Sequence, residues 1–171
     1  MAKRVPLTGG EKESLRVALE RHRDAAAWKL RGLDDEQLRR PMTPSGMTML
    51  GLVKHMAWVQ LGWFRGTFGY PVDAFEFDPA DPDKEFRVEP DETTAEVIAF
   101  FERSGAESDQ VLDDLDLDAR GTAWTGETVT LRWVLIHMLE EFARHAGHLD
   151  IMREQIDGAT GDHEPDAKIY P

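Results

Sequence analysis

The sequence predicts an all-α protein, a four-helix bundle with long connections, and three observations carry that prediction. Apolar residues recur at a helical period in four long stretches. Capping residues and glycines stand at the ends of those stretches. Between them lie connections rich in proline, glycine and aspartate that lack the period. Helices joined in this way bury their apolar stripes against one another, and the facing helices of such a core are a usual place for metal ligands.

Taken in order, residues 1–7 read as a loose start, and Thr8 with Glu11 fits a capping box. A helix follows to about Leu30, with Leu15, Ala18, Leu19, His22 and Ala26 on one face. His22 reads either as a packed or surface histidine or as a ligand. Gly32 ends the helix, Asp34–Arg39 forms a short helical turn, and Pro41 and Pro44 mark a rigid connection. The second long helix runs from Thr48 to Thr67, with Leu52, His55, Val59 and Trp63 on its buried side. Residues 69–90 carry four prolines and many aspartates, a long excursion that reads either as a lid over a site or as a solvated acidic loop. Thr93 and Glu96 form a second capping box. They open a third helix to Leu115, with Val97, Phe100, Phe101, Val111, Leu112 and Leu115 inward. Residues 116–129 make another connection, with Gly121 and Gly126 as turn residues and Trp124 as an anchor. Thr130 is placed to cap the fourth helix and Gly158 to stop it. Its stripe is Leu131, Val134, Leu135, Met138, Phe142, Leu149, Met152 and Ile156. The tail, 159–171, reads as largely extended.

At 171 residues the chain is read as a single domain, 1–171, long enough for a real core. Its formal net charge of −13 argues against nucleic acid and against an anionic membrane surface as partners. No apolar run is long enough to span a bilayer, and the N-terminus has no secretory pattern, so a cytoplasmic location is expected. The absence of cysteine removes disulfides, thiolate-ligated zinc and a cysteine nucleophile. Any thiol chemistry must therefore use a small-molecule thiol. No glycine-rich phosphate loop and no serine elbow is present.

The chemistry concentrates on the fourth helix. Glu141, His145 and His148 are spaced i, i+4, i+7 and point the same way, with His137 close to that face. A carboxylate and an imidazole one turn apart hold a metal ion when a third ligand comes from elsewhere, and His55 is the natural candidate. Taken alone, His55 reads first as a core histidine hydrogen-bonded to a neighbour, and a helical Glu/His pair is often a solvated one; the Glu141/His145 pair on a second inward face moves His55 toward a ligand. Three protein ligands leave a fourth position open, the pattern of a catalytic site. His148 reads as a fourth ligand or a nearby acid/base, and His137 and Glu140 as groups that orient ligands. Lys54 and Arg144 are the basic residues nearest the site in sequence, and helix phase turns neither clearly inward.

The stretches WKLRGLDDEQLRRPMTPSGMTMLGLVKHMAWVQLGWF and GETVTLRWVLIHMLEEFARHAGHLDIMREQIDG resemble the DinB superfamily in its DUF664 branch, and the resemblance covers nearly all of the chain. It implies a four-helix bundle of the DinB type. It also implies a divalent metal held by His55, Glu141 and His145, with zinc expected and nickel or iron as alternatives. Glu141 departs from the commonest histidine but matches what mycothiol-dependent maleylpyruvate isomerases, to whose N-terminal domain the chain is similar, have at that place. His148 replaces the usual glutamine and is read as lining the pocket, with a catalytic role as acid/base. The implied function is metal-dependent transfer or isomerisation with a low-molecular-weight thiol such as mycothiol, acting on a small-molecule substrate, in a homodimer. The competing reading is a non-enzymatic metal- or ligand-binding dimeric bundle, and a metal-dependent hydrolase is a third.

Overall fold

The computed structural model describes residues 7–72, 80–81 and 83–163. The expectations for residues 1–6, for 73–79 and 82 of the acidic loop, and for the tail from 164 lie outside them. The described residues are mostly helical, with helices α1 (Glu11–Leu30), α2 (Asp35–Arg39), α3 (Met49–Gln60), α4 (Thr94–Asp114) and α5 (Leu131–Asp157). A two-stranded hairpin, β1 (Arg120–Thr122) and β2 (Thr128–Thr130), qualifies the all-α expectation. The chain falls into two compact units, 1–32 with 132–171, and 33–131.

The first unit holds α1 and all but the first residue of α5. The helix-start ion pair joins Arg132 to Glu11 at 2.8 Å, and the other end joins Lys29 to Asp150 at 2.6 Å. Start therefore meets start and end meets end, so α1 and α5 run parallel. Arg153 Nη1 closes the end by donating to the carbonyls of Lys29 (2.8 Å) and Arg31 (2.7 Å). The predicted stripe of α5 is buried from Leu131 to Met152. Gly158 stops the helix with φ +79°, its N–H on the Glu154 carbonyl at 2.9 Å. The cap of α1 differs from expectation. Gly10, not Thr8, is the N-cap. A cap at Thr8 would have put Gly9 and Gly10 inside the helix, where each costs roughly 1 kcal/mol relative to alanine.

The second unit is built on α3 and α4. Residues 49–57 of α3 are buried on every side, which exceeds the single stripe expected, whereas Val59 and Trp63 are only half-buried. After Gln60 the helix widens into a π-helical turn, Leu61–Gly66, marked by N–H to carbonyl bonds five residues apart, Thr67 to Gly62 and Tyr70 to Arg65. The contacts run in step: Lys54 meets Glu92, Gln60 meets Ser104, and Arg65 meets Gln110. These helices too are parallel, so the chain must travel back along α3 before entering α4. That return explains the long acidic connection in physical terms. Asp34 and Thr93 make complete capping boxes with Gln37 and Glu96. Val97, Phe101, Val111 and Leu112 of α4 are buried, while Phe100 and Leu115 are half-buried.

The 116–129 connection is the hairpin. Gly126, at φ +97°, makes its turn as expected. Gly121 instead lies within β1, where an added Cβ would strike the Thr67 carbonyl oxygen. Trp124 is 66% exposed, and Ala123 is the buried residue of this turn.

Candidate metal centre

On α5, helical geometry brings Glu141 Oε2 to 3.0 Å from His145 Nε2. The other ring nitrogen of His145, Nδ1, lies 3.4 Å from His148 Nδ1, the rings being tilted at 58°. His145 is buried, and Glu141 and His148 are half-buried. His137 is half-buried and stacked on Trp133, one turn earlier, at 5.0 Å. Glu140 and Arg144 are exposed.

On α3, His55 is buried and its Nδ1 lies 3.3 Å from Glu85 Oε1. Glu85 belongs to a 3-10 turn, Lys84–Phe86, within the acidic connection. The Phe86 ring lies flat on the His55 imidazole, 3.9 Å between centroids and 14° between planes. The end of the connection thus lies against His55, through residues that sequence periodicity had not marked. Lys54 is turned toward the connection. Its Nζ donates to the Glu92 carboxylate at 2.6 Å and the Arg87 carbonyl at 2.8 Å.

His55, Glu141 and His145 each offer one ligand atom, and these atoms lie within 4.8 Å of one another. Two imidazoles and a carboxylate suit a divalent ion of the zinc type. Among the described residues this is the group of three or more such side chains that is able to hold a metal. His22 lines a different place, a cavity of about 170 Å³ bounded by Arg21, Ala143, Gly147, Asp150 and His163. By helix phase Ala143, Gly147 and Asp150 face away from Glu141 and His145. Burial lowers the His22 pKa, the Arg21 charge adds to that, and Asp162 opposes it.

The fold and this group define a mostly helical protein with a possible His/Glu/His metal-binding group. The family model for mycothiol-S-transferase matches residues 14–158. The chain belongs to the mycothiol-S-transferase family, which is DinB-like. No curated protein matches it. No helix of the described residues is long and apolar enough to cross a membrane.

Proposed function

We propose that the chain is a metal-dependent enzyme of this family that transfers or isomerises a small electrophilic substrate with mycothiol. The observation that carries the reading is the convergence of one ligand atom each from His55, Glu141 and His145, in a chain matched to mycothiol-S-transferases. These three residues hold the ion, zinc in this reading. A divalent ion there supplies a lowered thiol pKa, so that a sulfur nucleophile exists at neutral pH. Glu141 and His145 are set one helical turn apart, so little rearrangement is needed to hold it. His148, beside His145, accepts the thiol proton. The absence of cysteine from the chain fits a thiol that arrives as a small molecule.

The same reading takes the chain as one DinB-type four-helix bundle of the DUF664 branch, cytoplasmic and homodimeric. Trp133, Ile136 and Ile151, exposed on α5, are the contact surface for a second copy.

Elemental analysis of the purified protein tests the reading, together with His55→Ala and His145→Ala. The expected result is about one divalent ion per chain, lost in both variants, and consumption of mycothiol with an electrophile by the parent protein alone. Absence of bound metal, with no uptake on adding zinc, nickel or iron, would leave a non-enzymatic bundle as the better account.

A further inference from the structure

The acidic connection returns to α3 and is tied to it at several points. Lys54 Nζ grips both the Arg87 carbonyl and the Glu92 carboxylate. The Glu89 N–H donates to that same carboxylate at 2.7 Å. Arg87 binds Asp81 and Glu89, and Arg39 Nη2 donates to the Glu92 carbonyl at 2.5 Å. Gly51 allows the close approach, because a Cβ there would run into the Phe86 carbonyl oxygen. The turn between these ties puts two side chains on His55: Phe86 flat against its face, and the Glu85 carboxylate 3.3 Å from its Nδ1.

Neutral histidine carries its proton on one ring nitrogen and offers the other as a ligand. A carboxylate beside Nδ1 favours the proton there and leaves Nε2 as the donor. Metal-bound histidines generally have such a partner, which fixes the tautomer and raises ligand basicity. Phe86 fixes the remaining freedom, rotation of the ring out of plane. Glu85 is absent from the group of three whose ligand atoms converge, which separates it from a direct ligand.

We propose that Glu85 is a positioning residue: it holds His55 as the Nδ1–H tautomer with Nε2 directed to the metal, and Phe86 clamps the ring plane. This rests on the reading of His55 as a metal ligand. It assigns a function to a connection that sequence patterning left open, and it makes ligand geometry depend on the ties of Lys54 and Arg87.

The test uses the full chain and zinc alone. Zinc affinity is read by competition with a chromogenic chelator, and the His55 tautomer by nitrogen-15 NMR of the metal-free protein. The expected results are an Nδ1–H tautomer in the parent protein and its loss in Glu85→Ala. Zinc affinity should fall about 10-fold or more in that variant, with a smaller loss in Glu85→Gln, which keeps an oxygen beside Nδ1. Folding is checked by the thermal transition, and Glu85→Gln serves if Glu85→Ala is damaged. If zinc binds and is lost in His55→Ala, yet both Glu85 variants match the parent in affinity and tautomer, the positioning role is overturned and the metal reading survives. If the parent binds no zinc, the metal reading falls and takes this role with it, whatever the tautomer.

Discussion

Lys29 Nζ lies 2.6 Å from the Asp150 carboxylate, and the two ends of that pair are unequal: the lysine side chain is 1% exposed, the aspartate 46%. The ammonium has been taken out of water and depends on its partner, whereas the carboxylate keeps much of its solvation. Removing one partner of a fully buried pair costs about 3–5 kcal/mol. With one end solvated, Asp150→Ala should cost about 2 kcal/mol. Lys29→Met removes the buried charge and keeps the volume, so it should be close to neutral. Urea unfolding of the two variants checks this; equal losses would mean that the lysine is not the dependent member.

Polar residues also lie inside the second unit. Gln60, Ser104 and Ser108 are fully buried. Gln60 Nε2 donates to Ser104 Oγ, which donates to the Phe101 carbonyl at 2.8 Å, while Ser108 Oγ donates to the Ser104 carbonyl at 2.8 Å. Ser104→Ala withdraws an acceptor from a buried amide and should cost about 1–3 kcal/mol. Gln60→Ala combined with Ser104→Ala should cost less than the sum of the two single changes. Denaturant midpoints of the three variants give the coupling directly.

Acid sensitivity has an identifiable source at the end of α5. Arg153 binds Asp157 through two bonds of 3.0 and 2.8 Å, and the Ala159 N–H donates to the same carboxylate at 3.0 Å. The Arg153 bond, then the backbone bond, lower the Asp157 pKa below its ordinary value of 3.8. The unfolded chain therefore binds this proton first. The contribution to stability is present above the ordinary aspartate pKa and is lost as pH falls through the lower folded value. Asp157→Asn should lose stability at neutral pH and show a shallower fall below about pH 4. Thermal transitions across pH 2.5–7 measure it, and parallel curves would remove Asp157 as a source.

Zinc should stabilise the parent protein in proportion to its affinity. At about 100 times Kd the gain is roughly 2.7 kcal/mol, or about 5–10 °C in Tm for a chain of this size. His145→Ala should show no such shift, and a chelator should reverse it in the parent. A shift of equal size in His145→Ala would place the ion elsewhere.

These contrasts follow what a sequence can carry. Glu141, His145 and the stripe from Leu131 to Met152 were legible because helical spacing alone fixes which side chains share a face. The box at Thr93 was legible because capping depends on residues three apart, whereas the same spacing misplaced the start of α1 at Thr8 and left the box at Asp34 unread. Glu85 was not, because it sits in a stretch with no period, and its meeting with His55 depends on how the return path is tied down. Lys54, Gln60 and Ser104 were hidden for another reason. Polar residues default to the surface, and only their partners at Glu92, Phe101 and Gln60 make burial tolerable. The hairpin was missed because three-residue strands give too few alternations to register.

Two helical glycines separate local propensity from packing. In a helix interior alanine is favoured over glycine by about 1 kcal/mol, so both Gly51→Ala and Gly147→Ala gain this much locally. At Gly147 an added Cβ meets nothing within 4 Å, so Gly147→Ala should raise stability by about 0.5–1 kcal/mol. At Gly51 the Cβ would strike the Phe86 carbonyl oxygen and press on Thr48 Oγ1 at 3.0 Å. A backbone atom pinned by neighbouring ties gives way less easily than a side-chain end, and overpacking of this kind costs about 1–3 kcal/mol. Gly51→Ala should therefore be destabilising by about 1 kcal/mol net. It should also weaken zinc binding, since pushing Phe86 away moves both the ring on His55 and the neighbouring Glu85. Calorimetry gives the stabilities and chelator competition the affinities. A Gly51→Ala protein as stable as the parent, with unchanged zinc affinity, would mean that the turn yields freely and does not hold His55.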